Sequence, residues 1–249
     1  MNQVIMGDCL EVMKDIPDKS VDMILCDLPY GTTACKWDTI IPFEPLWAQY
    51  KRIIKDNGAI VLTASQPFTS ALVMSNVKMF KYEWVWEKER PTNIFLMKKQ
   101  CGKVHENILV FYKNQPTYNP QTEPSNQPKN NKNNESQKGE MNTIETFGKT
   151  KTKISDSYNP EIRNPRSVIK ISRGTRGNQK LHPTQKPVAL FEYLIKTYTN
   201  ECDLVLDNCA GSGTTGVACK NTNRNYILIE KEQEYIDIIN KRLAPLNPN

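Results

Sequence analysis

Leu204-Val205-Leu206-Asp207-Asn208-Cys209-Ala210-Gly211-Ser212-Gly213-Thr214-Thr215-Gly216 runs from three aliphatic residues through an acid into a glycine turn, and Val217-Ala218-Cys219 then opens an apolar helix start. Strand, glycine turn, helix is the layout that lets a nucleotide-like cofactor approach the backbone closely, because glycine has no Cβ to hold it off. No Lys follows the glycines as a Walker loop requires, and the spacing misses the strict dinucleotide fingerprint. A further apolar run, Tyr226-Ile227-Leu228-Ile229, ends at Glu230. An acid at that strand end is placed to accept hydrogen bonds from ribose hydroxyls. A capping turn and a solvated strand end would explain the two features singly. Together, at this spacing, they argue for a cofactor site.

Working outward, the other half of the chain holds a second strand end. Val21-Asp22-Met23-Ile24-Leu25-Cys26 leads into Asp27-Leu28-Pro29-Tyr30. The Asp27 carboxylate accepts an amine N–H. Pro29 has a locked φ and pushes Leu28 out of the helical region, so the Leu28 carbonyl can serve as a second acceptor. Tyr30 offers a ring face for stacking. The set suits a flat, amine-bearing ring, although such a tetrapeptide alone is a weak signal.

Together these motifs resemble the amino-methylating DNA methyltransferases that use S-adenosylmethionine. Asp27-Leu28-Pro29-Tyr30 is similar to their catalytic motif, usually Asp-Pro-Pro-Tyr, and Asp207 to Thr215 to their methionine-binding motif, usually Asp-Pro-Phe-x-Gly-Ser-Gly-Thr-Thr. His182-Pro183-Thr184-Gln185-Lys186-Pro187 resembles the block that precedes the cofactor strand in one circularly ordered subgroup, of beta-type order. There the catalytic motif comes first, then target recognition, then the cofactor motif, as here. The likeness spans about residues 4–112 and 180–243. This chain departs at Leu28, which replaces the first proline, and at Asn208-Cys209, which replaces Pro-Phe and removes an aromatic ring from the cofactor wall.

The resemblance implies a Rossmann-like methyltransferase fold: α/β, with a mostly parallel seven-stranded sheet, helices on both faces and circularly ordered motifs. It implies residues 1–114 as the catalytic half, 115–180 as an inserted target-recognition region and 181–249 as the cofactor half. For S-adenosylmethionine it implies contacts from Asp8 and Cys9, from Thr184 and Lys186, from Asp207, Ala210, Gly211, Ser212, Gly213 and Thr214, and from Glu230. Asp8 reads equally well as the N-cap of a helix from Leu10 to Ile16. Lys186 suits the cofactor's carboxylate, Ser212 and Thr214 its methionine end, and Glu230 its ribose.

The coarse pattern agrees. Short apolar strands (Val4–Met6, Met23–Cys26, Ala59–Thr63, Tyr82–Glu87, Asn107–Tyr112) alternate with helices at Phe43–Lys55, stopped by Gly58, and at about Pro67–Met74. Such alternation argues a parallel-rich sheet. Trp84 and Trp86 read as packing residues. Residues 121–140 contain no aliphatic or aromatic side chain and cannot bury a core, so they should be mobile without DNA. A strand returns at Ser167–Ser172, flanked by Arg163, Arg166, Arg173 and Arg176. Arginines there suit phosphates and base edges.

The chain has 249 residues, enough for one good-sized core, and a formal charge of +6, which permits a polyanionic partner. Seven cysteines without a C-x-x-C pair and only two histidines make a zinc site an unsupported reading; the thiols read as reduced and mostly buried. With no signal peptide or long apolar span, the expectation is a cytoplasmic protein without metal or membrane. The expected reaction is methyl transfer to the N6 amine of an adenine flipped from a specific short site in DNA. Cytosine N4, RNA or a protein glutamine are rival acceptors, and a non-catalytic DNA-binding relic is the rival class. An Asp at the first position leans toward adenine in the resembling family. The recognition sequence, a restriction endonuclease partner and a homodimer stay open.

Overall fold

The computed structural model describes residues 2–33, 35, 38–125, 162–173 and 185–244. The chain divides into two compact units, 1–119 with 166–249, and 120–165. In the second unit the described residues form one antiparallel pair, β6 (Glu123–Pro124) with β7 (Ile162–Arg163). Most of the 121–140 stretch, and with it the expected mobility, lies outside the described residues, as do His182, Pro183, Thr184 and Arg176.

The first unit is built on a sheet of eight strands: β1 (Gln3–Met6), β2 (Val21–Cys26), β3 (Ile54–Ala64), β4 (Phe80–Glu87), β5 (His105–Phe111), β8 (Val168–Lys170), β9 (Leu204–Asp207) and β10 (Asn225–Glu230). Their order is β1-β10-β9-β2-β3-β5-β4-β8, parallel except where β5 runs against β3 and β4. The count exceeds the expected seven by one. The arginine-flanked strand, β8, is an edge strand of this sheet, pairing Val168 to Lys170 with Val85 to Glu87.

Among the described residues six α-helices cover the sheet: α1 (Cys9–Val12), α2 (Phe43–Ile53), α3 (Phe68–Ser75), α4 (Val188–Tyr198), α5 (Thr214–Asn221) and α6 (Gln233–Leu243). The strand pleat sorts them. Ile24 and Cys26 of β2 belong to a core with Leu46, Trp47 and Tyr50 of α2 and Phe68 and Leu72 of α3. Met23 and Leu25 face a second core with Leu190, Phe191 and Leu194 of α4, Ala218 of α5 and Ile239 of α6. Successive residues of a strand point to opposite faces, so a strand covered on both sides reads as an unbroken apolar run. Trp84 and Trp86 are buried in the second core, as expected of packing residues.

Two local readings change. The helix from Phe43 ends at Ile53, and β3 begins at once and passes through Gly58, which therefore lies inside a strand. Register explains the glycine: Val21 pairs Ile54 but Met23 pairs Ala59, so β3 bulges, and a Cβ at Gly58 would sit 2.8 Å from the Asp22 carbonyl oxygen. The thiols are less buried than expected. Cys26 and Cys219 are buried, Cys9 and Cys209 half-buried, and Cys35, Cys101 and Cys202 exposed; all seven are free. Among the described residues no helix is long and apolar enough to cross a membrane.

Candidate active site

β2 and β9 are hydrogen-bonded neighbours, with Met23 opposite Val205 and Ile24 opposite Leu206. From this pair the chain builds the sheet both ways, β10 and β1 to one side and β3 to the other. Open α/β sheets bind ligands at such a switch point, outside the carboxyl ends of the strands. Asp27 and Asp207, which are 180 residues apart in the chain, are brought together there. A cavity of about 840 Å³ opens above them, lined among others by Asp8, Cys9, Asp27 to Tyr30, Lys186, Asp207 to Ser212, Thr214 and Glu230. Of the residues expected to hold the catalytic and cofactor sites, all of those described line it except Gly213.

The glycine turn is held by its acids. Asp207 is buried; its carboxylate accepts from the Cys209 amide at 3.1 Å and from the Thr215 hydroxyl. Burial pushes its carboxyl up to about 6, against the pull of those bonds. Glu230 accepts from the Gly211 amide at 2.8 Å and from the Lys231 and Glu232 amides at 2.8 and 3.0 Å, while burial raises its pKa. Gly213 has φ +78°, and a Cβ there would stand 2.9 Å from Ile239 Cγ1. Ser212 is tied by Arg242, whose Nη1 donates to its carbonyl at 2.5 Å and reaches its hydroxyl at 3.2 Å. The Thr214 hydroxyl donates to the Lys186 carbonyl at 3.4 Å. Asp8 does cap α1, accepting from the Leu10 and Glu11 amides at 2.9 and 3.4 Å, and it lines the cavity as well.

Where the family motif has Pro-Phe, Asn208 accepts from the buried Tyr50 hydroxyl at 2.6 Å, so an aromatic residue of α2 is anchored to this turn. Asn208 Nδ2 donates to Cys209 Sγ at 3.5 Å, and the free Cys9 and Cys26 thiols are the electrostatic neighbours of that sulfur. The Cys26 thiol is pushed up to about 12 by burial, and Cys9 is raised by the Cys209 thiol beside it and by burial. These thiols stay protonated; Cys9 and Cys209 serve as cavity wall, not as nucleophiles, and Cys26 is packed in the core.

At the other end, three donors converge on Asp27. The Tyr30 hydroxyl donates to Oδ1 at 2.7 Å, Thr63 donates to the same oxygen, and Lys186 Nζ donates to Oδ2 at 2.5 Å. The Tyr30 ring stacks on Phe68, with centroids 5.2 Å apart and planes at 24°, and the Lys186 ammonium lies 5.5 Å from its centroid. Lys186 is buried. Burial would depress its pKa, but Asp27 and Glu106 overcome this and hold it raised, so it keeps its charge. Glu106 in turn pairs with Lys88 through Oε1. Its Oε2 is buried, lies 3.4 Å from Lys186 and makes no hydrogen bond among the described residues. Lys88, Glu106, Lys186 and Asp27 thus alternate in sign through the cavity wall, as buried charges must if none is to be left uncompensated. Lys186 was expected on a cofactor carboxylate; in the protein alone it is held by Asp27 and Glu106.

Sequence reading missed Thr63, Glu106, Lys88 and Phe68. Thr63, Lys88 and Glu106 are single polar residues close to strand termini and Phe68 is the first residue of α3, each with no motif around it. It also missed Asp38, which accepts from the amides of Gly31, Thr32 and Thr33 at 2.7–2.9 Å and so pins the loop after Tyr30. Burial pulls the Asp38 carboxyl up, but the Thr33 hydroxyl and those amides outweigh it and the pKa is lowered. Of the four arginines, Arg173 lines the cavity and its amide donates to Glu89 at 3.2 Å. Arg166 lies just before β8, Arg163 belongs to the β6–β7 pair of the other unit, and Arg176 falls outside the described residues.

The family profile for N6/N4 methyltransferases, described as DNA methylase, matches residues 21–241. The chain is 30% identical to the type II methyltransferase M.BglII of Bacillus subtilis, covering 96% of this chain and 68% of that one. It is 29% identical to the type II methyltransferase M.HinfI of Haemophilus influenzae, covering 100% and 70%. Among solved structures, the M1.HpyAVI–SAM complex matches with a TM-score of 0.65 at 29% identity, covering 98% of this chain and 100% of that one. A cytosine-N4-specific methyltransferase, PvuII, shares the fold with a TM-score of 0.67 at 16% identity. The chain belongs to the N6/N4 DNA methylase family.

Proposed function

We propose that this chain transfers a methyl group from S-adenosylmethionine to the N6 amine of adenine in DNA. The observation that carries this reading is one cavity bounded at one end by the Asp27 tetrapeptide and at the other by the glycine turn and Glu230. Its residues fit the cofactor. About 840 Å³ accommodates a nucleoside with an amino-acid arm as well as part of a base. Glu230 suits ribose hydroxyls, Gly211 and Ser212 the close approach of the chain, and Lys186 a carboxylate. The buried Glu106 Oε2, without a hydrogen bond among the described residues, leaves an acceptor for a cationic or N–H group. When bound, S-adenosylmethionine supplies an electrophilic methyl on a sulfonium.

The protein's own task is to prepare the amine. An exocyclic amine conjugated with its ring is a poor nucleophile. The Asp27 carboxylate and Leu28 carbonyl hold its two N–H groups and favour a pyramidal nitrogen with a localised lone pair. Positive charge grows on that nitrogen, and Asp27 is already fixed to stabilise it. Thr63 and Tyr30 hold Oδ1, so Oδ2, now taken by Lys186, is the oxygen that meets the amine. Lys186 turns to the cofactor's carboxylate when it releases Oδ2. The proton left on the methylated amine departs without a strong base. The base leaves the duplex to reach this depth and packs against Tyr30. Arg163, Arg166, Arg173 and Arg176 contact the DNA in this reading, within the recognition region 115–180.

Labelled methyl transfer to unmethylated DNA, with separation of the product nucleosides, tests the reading and maps the site. Label in N6-methyladenine supports it; label in N4-methylcytosine replaces adenine with the family's other acceptor. Asp27→Ala should lower turnover by about 10²–10³ while cofactor binding persists. Near-normal turnover would remove the proposed site.

A further inference from the structure

Ile94, Phe95, Leu96 and Met97 are consecutive in the loop between β4 and β5, and all four are exposed; Phe95 is 100% exposed. Four large apolar side chains in a row at a loop tip give up the burial that folding ordinarily secures, and such patches mark interaction sites. The tip is not loose. Residues 94–96 form a 3-10 turn, closed by Leu96 N to Asn93 O at 2.8 Å and followed by Lys99 N and Gln100 N to Leu96 O at 2.8 and 3.0 Å. Asn93 ties the two arms, donating to the Cys101 carbonyl at 3.0 Å and accepting from the Lys103 amide at 2.6 Å. Thr92 N to Lys103 O at 3.0 Å closes the root. That root is the cavity rim: Thr92 and Lys103 both line the cavity that contains Asp27, and Lys103 Nζ donates to Ser65, another lining residue. The tip is therefore a rigid apolar projection beside the mouth, only two residues from its edge. Its surroundings are cationic, with Arg90 before it and Lys98 and Lys99 directly after.

We propose that the Ile94–Met97 tip is a wedge that enters the DNA duplex next to the target base and fills the space the base leaves when it turns into the cavity. This rests on the DNA-methylation reading. Apolar side chains inserted between base steps offset unstacking with new contacts, and Phe, Leu, Ile and Met are the residues used for it. The lysines beside the tip select a polyanion over an apolar protein face, and the tip's root on the cavity rim selects the duplex around the target base over DNA elsewhere.

The test compares Phe95→Ser with the unaltered chain on two oligonucleotides carrying the mapped site: a fully paired duplex, and the same duplex with an abasic residue opposite the target, where the base is already unpaired. Phe95 is fully exposed, so the variant should melt with the parent, which a thermal scan checks. The wedge predicts that Phe95→Ser loses tenfold or more in single-turnover methylation of the paired duplex, as expected from the loss of one base–aromatic stack, and stays within about twofold on the abasic one. Equal turnover of the paired duplex by both proteins overturns the wedge. So does an equal loss on both substrates, and a loss accompanied by conversion of a dimer to a monomer in sedimentation assigns the tip to a second copy instead. If the unaltered chain methylates neither substrate, the DNA reading itself fails and the wedge with it, an outcome distinct from the others.

Discussion

Lys186 shows how much a single side chain decides in this cavity. It is the cation between two carboxylates, 2.5 Å from Asp27 and 3.4 Å from Glu106. Replacing it with Met leaves two acids facing each other in a buried wall. Breaking a buried pair this way typically costs about 3–5 kcal/mol. Lys186→Met should lose about that much in urea unfolding, and adding Glu106→Gln should recover part of it, because one of the facing charges is then gone. Strict additivity of the two losses would show that the residues do not interact. Asp207 carries a pH signature of the opposite kind. Its pKa is raised in the folded state to about 6 from 3.8, so the native protein binds this proton more tightly than the unfolded chain does. The penalty for ionising it is absent below pH 4, grows between 4 and 6, and reaches about 3 kcal/mol above 6. Asp207→Asn is neutral throughout. Its stability relative to the parent should therefore rise by about that amount between pH 4 and 7, and a difference independent of pH would refute the buried-acid account.

At the scale of elements, each motif is a strand end plus whatever immobilises it. The turn from β9 to α5 needs a left-handed residue at 213, where φ is +78° and a Cβ would press on Ile239 of α6. A left-handed alanine costs roughly 1–2 kcal/mol before any clash is counted. Gly213→Ala should lower unfolding free energy by at least that and weaken cofactor affinity, since Ser212 and Thr214 move with the turn. An unchanged calorimetric binding constant would separate the turn from the site. The tetrapeptide after β2 has different supports: Thr63 from the end of β3, Phe68 from α3 and Lys186 from the segment before α4. Thr63 and Lys186 hold the carboxylate itself, and Phe68 holds the ring of Tyr30 beside it. The helix α4 is legible in the sequence, since Leu190, Phe191, Leu194, Ile195 and Tyr198 recur at helical spacing directly after Pro187. Gly58 was misread because a glycine that ends a helix and one that fits a bulge look alike in sequence.

For the whole molecule, the cavity joins the two halves of a chain whose motifs come in circular order. Helices α1–α3 cover one face of the sheet and α4–α6 the other. The two halves share the β2–β9 pairing, and the cavity proposed to hold the cofactor is lined from both strand ends. Cofactor bound there should stabilise the entire unit. At a hundredfold excess over Kd the gain is about 2.7 kcal/mol, a Tm rise of roughly 5–10 °C for a chain of this size. The demethylated product should act similarly. Absence of any shift with either compound, with or without DNA, would contradict the fit.

The sequence alone determined the strands, their burial on both faces and the two strand-end motifs, because periodicity and glycine or proline chemistry act within a few residues. It carried the family, since three spaced motifs in one order leave little else. The partners of Asp27 were decided only by tertiary structure. Thr63, Glu106, Lys88 and Lys186 lie 36 to 159 residues from it, and only the sheet order and register bring them within a hydrogen bond, or one or two intervening charges, of that carboxylate. The run Ile94-Phe95-Leu96-Met97 has no feature of its own that separates an exposed tip from a core segment. Only the fold shows that it is left outside, since exposure depends on what the rest of the chain fails to cover.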